Sequence, residues 1–145
     1  MSRLLLLFLG LVLLILGFYV FRLYTGKVPR LTEVTADVAV NATELIKLFE
    51  SDSAAANKKY LGKVLSVNGN IKSIEKEAAN VVLGDKNLST SIRCSMDSTF
   101  GNAAAALKAN EQVTIKGVCT GYIPDDSGLG LGADVVMNRC VIEKK

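Results

Sequence analysis

Leu4 to Phe21 (LLLLFLGLVLLILGFYVF) is an apolar run of 18 residues in which only Gly10 and Gly17 lack a large side chain. As a helix rising about 1.5 Å per residue it covers roughly 27 Å, close to the thickness of a bilayer's hydrocarbon core. A core helix of a small domain shows a polar face, and this run has none. A cleavable signal ends in a small-x-small site, whereas this run ends in Phe18-Tyr19-Val20-Phe21-Arg22. The first cysteine is Cys94, so no thiol near the run can take a lipid. The sequence therefore predicts a transmembrane anchor over 1–24, with 4–21 in the lipid bilayer. A tether over 25–40 and a folded domain over 41–145 follow.

Arg3 precedes the run, and Arg22, Lys27 and Arg30 follow it, so the count of flanking positive charges does not favour an exported C-terminus. Those four residues also account for the net charge of +3. From Leu31 onward 13 basic residues face 14 acidic ones, with no block of either sign. A nucleic-acid binder normally carries a basic footprint on the domain itself. The bulk composition shows none here.

After the tether, "NATELIKLFE" opens a helix with Asn41 as cap and Glu44 three residues on, and Leu45, Leu48 and Phe49 form its expected apolar stripe. Asp52 caps a second short helix ending at Gly62. From Lys63 the period changes to two. "KVLSVNGNIKSIEKE" reads either as a hairpin turning on Asn68-Gly69 or as one long strand bending at Gly69 with a bulge near Lys72-Ser73. Strands are predicted over Asn80–Asp85, Thr90–Asp97, Glu111–Tyr122 and Asp134–Glu143, with a helix over Ser98–Asn110. Strand, strand, strand, helix, strand, strand is the order of a five-stranded OB-fold Greek-key barrel, here behind a helical preface.

"AANKKYLGKV", "KGVCTG" and "DVVMNRCV" carry a closer likeness. With these motifs the chain from Asn41 to Ile142 resembles the tRNA_anti-like family of OB-fold proteins, small domains of Bacteroidetes-type bacteria that often stand behind one membrane helix or signal. The resemblance implies a mainly β barrel and one bent first strand in place of a hairpin. It implies a fold more than an activity. One departure is the last connection, "PDDSGLGLGA", which is longer than the tight turn expected there.

No histidine is present, which excludes Ser-His-Asp and Cys-His catalysis and the commonest metal ligand. Cys94, Cys119 and Cys140 lack metal-site spacing and show no activating partner. Their parity points all three inward, as small core hydrophobes. Cys119 and Cys140 lie about equally far from the hairpin tip near Leu129. In an oxidising compartment a Cys119–Cys140 disulfide would add roughly 3 kcal/mol; three free core thiols are the alternative.

The glycine-rich loop lacks the lysine of a phosphate loop and is flanked by strands on both sides. Loops at this place border the usual OB ligand face, so Gly128 and Gly130 join Lys72, Arg93, Lys116 and Tyr122 as candidate ligand-face residues. The second and third barrel strands offer no aromatic platform for bases. No metal, cofactor or catalytic residue is expected. The expectation is a non-enzymatic, single-pass inner-membrane protein whose OB domain stands in the periplasm and binds an envelope protein or other ligand. The alternative is a single-stranded nucleic-acid-binding module of the anticodon-binding kind.

Overall fold

The computed structural model describes residues 2–24, 31–97, 106–125 and 132–143, with the side chains of the first helix described over 10–22. That helix, α1, runs Ser2–Tyr24. Among the described residues no helix is long and apolar enough to cross a membrane. The predicted span over 4–21 reaches beyond the described side chains.

Two short helices precede the barrel. Asn41 caps α2 (Ala42–Ser51), its Oδ1 accepting from Thr43 N at 2.9 Å. The buried stripe of α2 is Ala42, Leu45, Ile46 and Phe49. Leu48, expected in that stripe, is 36% exposed. At 100° per residue the positions 42, 45, 46 and 49 share one face, and 48 falls at its edge. Asp52 both closes α2, donating its N–H to Leu48 O (3.1 Å), and caps α3 (Ser53–Tyr60) by accepting from Ala55 N (2.9 Å).

The barrel strands are β2 (Val64–Glu75), β3 (Asn80–Leu83), β4 (Ser91–Met96), β5 (Gln112–Ile123) and β6 (Asp134–Ile142). They close in the order β2-β3-β4-β6-β5, with β5 returning to β2. The pairing of β4 with β6 is parallel and the others are antiparallel. This is the closed five-strand OB order. Of the expected helix over Ser98–Asn110, residues 98–105 lie outside the described residues and 106–110 form turns.

Strand β2 is one bent strand, not a hairpin. Its first half pairs with β5, its second half with β3, and its register slips between Ile71 and Ser73. Gly69 stands at the changeover. A Cβ there would lie 2.5 Å from Ala42 Cβ, so α2 seats directly on the bend. A sixth strand, β1 (Val38–Asn41), pairs parallel with β2 from Val38↔Leu65 to Asn41↔Asn68. Of these, Val38, Ala39 and Val40 were expected in the tether and Asn41 as the helix cap. Val38 and Val40 pack on the core while Ala39 and Asn41 are exposed, the alternation of a half-buried edge strand.

Leu65, Val67, Ile71, Val81, Leu83, Ile92, Ile115, Val135 and Met137 fill the interior with no exposed surface. Replacing Gly69 by Ala overpacks the seat of α2, a class of change that costs about 1–3 kcal/mol. Thermal unfolding of the full chain in detergent, followed by circular dichroism, should show a lowered midpoint for Gly69→Ala. Adding Ala42→Gly should recover part of the loss, and a double variant no more stable than Gly69→Ala would contradict the seat.

Candidate ligand face

The outward residues of β2, β3, β4 and β6 form a connected polar layer centred on Arg93. Its Nε and Nη2 donate to Asp134 Oδ2 at 3.1 and 2.9 Å, and its Nη1 donates to Glu75 Oε1 and Oε2 at 3.2 and 3.1 Å. Asn80 Nδ2 donates to Glu75 Oε2 (3.1 Å), and Ser95 Oγ to Asn80 Oδ1 (3.0 Å). The register makes this layer: Glu75 faces Asn80, Asn80 faces Ser95, and Ser91 faces Asp134. Hydrogen bonding to Asp134 raises the Arg93 pKa further above its ordinary value, with Glu75 adding to it. One guanidinium is thus shared by two carboxylates, and it offers no unneutralised charge to a phosphate.

The other predicted face residues do not join Arg93 in one patch. Lys72 lies nearest, and its Nζ donates to Leu88 O (2.6 Å) and Ser91 Oγ (3.0 Å), pinning the β3–β4 connection. Lys116 sits on the β2–β5 side, its side chain 9% exposed, paired with Glu143 Oε1 at 3.2 Å. Tyr122 stacks on Phe49 of α2, with ring centroids 5.5 Å apart and planes 21° apart. It is a packing residue. Gly128 and Gly130 lie outside the described residues.

A second polar ladder runs along β2 and β5. Gln112 Nε2 donates to Asn68 Oδ1, and Asn68 Nδ2 donates to Thr114 Oγ1, both at 2.9 Å. Ser66 Oγ donates to Glu143 Oε2 at 2.6 Å. Glu75, Asn80, Asp134 and Glu143 were not among the expected ligand-face residues. Their significance lies in cross-strand partners, which only the register supplies.

The three cysteines are free and fully buried. Of the two alternatives, a Cys119–Cys140 disulfide and three free thiols, the ladder favours the second, since it does not set the two cysteines opposite each other. From Ile123↔Asp134 the hairpin counts back to Gly121↔Val136, slips one residue at Thr120, and sets Cys119 opposite Met137. On β6, Asn138 and Arg139 together face the gap between Cys94 and Met96, and Arg139 takes φ 56°, the left-handed region of a bulge residue. The bulge turns Cys140 toward Cys94, whose hydrogen bond, together with burial, pushes the Cys140 thiol far up. It also brings Cys140 against β5. A Cβ on Gly117 would lie 2.5 Å from Cys140 Sγ, so glycine is needed there. Burial raises the Cys119 thiol as well.

The sequence profile of the tRNA_anti-like family matches residues 1–129. No curated protein matches the chain significantly. Among solved structures, a lipoprotein of Klebsiella pneumoniae subsp. pneumoniae MGH 78578, provisionally named as nucleic acid-binding, is similar at a TM-score of 0.55 and 18% identity. The likeness covers 72% of this chain and 91% of that one. A provisionally assigned aspartyl-tRNA synthetase of Leishmania major Friedlin matches at TM-score 0.46 and 9% identity, over 79% of this chain and 22% of its own.

Two outcomes follow from this geometry. Alkylation of the intact chain should leave all three thiols unmodified, since all three are buried, and the raised pKa of Cys119 and Cys140 further suppresses thiolate attack at those two. Denatured without reductant, the chain should take up three alkyl groups by mass; uptake of one would reveal a disulfide. The Glu143 carboxyl is held below its ordinary range by hydrogen bonds from Ser66 and Lys116, against the opposing pull of burial. A depressed carboxyl contributes stability above its unfolded-state pKa of about 4.3, and that contribution is lost as pH falls through the lower folded value. Acid unfolding midpoints should therefore be less pH-dependent in Glu143→Gln below about pH 4.

Proposed function

Because the chain belongs to the tRNA_anti-like family, we propose that it is an OB-fold binding module and not an enzyme. It is held at the cell envelope by α1 as a single-pass anchor, with the domain on the periplasmic side of the inner membrane. The observation that carries this reading is the state of the usual OB ligand face. Its central cation, Arg93, is already shared by Glu75 and Asp134, and β3 and β4 bring no aromatic ring to stack a base. Such a face suits a polar, hydrogen-bonding partner, an envelope protein or a neutral polymer, better than a phosphate backbone.

The anchor reading draws on the 18-residue apolar run of the sequence. Envelope association draws further support from the Klebsiella neighbour, which is named a lipoprotein. That neighbour's provisional name and the family's own name favour a second reading, binding of single-stranded nucleic acid.

Fluorescent single-stranded DNA and RNA titrated against the full chain in detergent at low salt separate the two. No binding is the expected result; saturable binding that weakens steeply with added salt would replace the first reading by the second. A reporter fused after Lys145 tests the location, with activity expected only for a periplasmic reporter.

A further inference from the structure

Outside α1, the exposed large hydrophobic residues among those described are Leu48, Leu61 and Ile123. The last two lie where the N-terminal chain joins the barrel. Asp37 N donates to Val64 O, and Val64 N donates to Asp37 Oδ2, each at 2.8 Å, so the chain arrives at the first residue of β2. Just upstream, Gly62 N donates to Cys119 O (2.8 Å) and Cys119 N to Lys63 O (3.0 Å), tying the end of α3 to β5. A Cβ on Gly121 would stand 3.9 Å from Leu61 Cδ1, and Ile123 closes β5 two residues further on. One end of the barrel thus carries the chain's attachment, Leu61 (55% exposed) and Ile123 (58% exposed).

The link from α1 is short. Seven steps separate Tyr24 from Leu31, a reach of at most roughly 25 Å, and Leu31 is itself 3% exposed. A folded unit of about 100 residues, with a radius of gyration of about 13 Å, is wider than that reach. The domain therefore stays within its own diameter of the end of α1. Two large apolar side chains stand exposed at the end the link reaches.

We propose that this end of the barrel docks on the bilayer that holds α1, with Leu61 and Ile123 entering the interfacial layer. The inference rests on the anchored reading above. Lys58, Lys59 and Lys63 are exposed around the same end, where their long stems can lie along the lipid while their ammonium groups meet anionic headgroups. Two carboxylates at this end are engaged with backbone, Asp37 with Val64 N and Asp125 with Gly132 N. Glu33 of the arriving segment and Glu50, beside Tyr122, are exposed acidic groups that oppose docking, while Asp134, opposite Ile123, is paired with Arg93. Docking would bring Asp134, the ladder partner of Ile123, and with it one edge of the Arg93 layer, close to the lipid, and would leave the β2–β5 ladder open to a partner.

The chain has no tryptophan, so single tryptophans report position without background. Leu61→Trp, Ile123→Trp and, at the far end of β5, Lys108→Trp would each be placed in the full chain and reconstituted into vesicles of phosphatidylcholine with phosphatidylglycerol. Circular dichroism would confirm that each variant folds. The expected result is blue-shifted emission, lost to lipids brominated near the headgroup, for positions 61 and 123 but not for 108. Lys58→Glu with Lys59→Glu and Lys63→Glu should reduce that quenching in anionic vesicles only. If the chain floats with the vesicles yet positions 61 and 123 are quenched no more than 108, docking is overturned and the anchor stands. If the chain fails to float with vesicles, the anchored reading itself falls, and docking with it.

Discussion

Strand β2 has to serve two ladders at once. Its first half closes the barrel against β5 and its second half starts the sheet with β3. A strand can do this only by bending, and the bend at Gly69 leaves a hollow that Ala42 of α2 fills so closely that no side chain fits at position 69. The helical preface is thus fixed by the barrel's geometry. From that seat, Phe49 reaches Tyr122 and Tyr60, so α2 ties the bend to the far end of β5. Loss of side-chain volume at one backbone position organises contacts across the whole domain.

The charges show a similar economy. Arg93, Lys72 and Lys116 each satisfy groups within the barrel: Arg93 and Lys72 join strands that are not adjacent in sequence, and Lys116 ties β5 to the residue that follows β6. Partly exposed ion pairs of this kind add little to stability, typically less than about 1 kcal/mol each. Their larger effect is on recognition, because a cation already hydrogen-bonded in place gives up a partner before it can bind an anion. The face reads as polar and self-neutralised.

Much of this fold could be read from the residues. Patterning located the barrel strands but left the first open between a hairpin and one bent strand, which the family resemblance resolved; Asn41 and Asp52 marked both helix starts, and the bulge allowed near Lys72-Ser73 exists. Strand β1 was missed because four residues paired on one side, inside a polar stretch, leave too short an alternation to stand out. Leu48 and Ile46 exchanged places because a stripe three residues wide is ambiguous at its edges. Cys119 and Cys140, expected as cross-strand neighbours, do not face each other. Carried on regularly from Ile123↔Asp134, the ladder would set Cys119 opposite Asn138, and the slip at Thr120 sets it opposite Met137, so equal distance from a tip near Leu129 does not make Cys140 its partner. The candidate face suffered from the same blindness: single positions such as Arg93 were visible, but the carboxylates that neutralise them come from strands whose pairing no local pattern encodes.

Strand β1 lies parallel to β2 at the point where the N-terminal segment meets the barrel. A pull transmitted through that segment along the strand axis would load the β1–β2 hydrogen bonds side by side, in shear, instead of opening them one after another. Behind them, Asn41 leads at once into α2, whose stripe is locked into the core. A domain loaded through this segment resists unravelling at the strand where that load would meet the sheet. The short parallel strand serves as a strain relief as much as a piece of sheet.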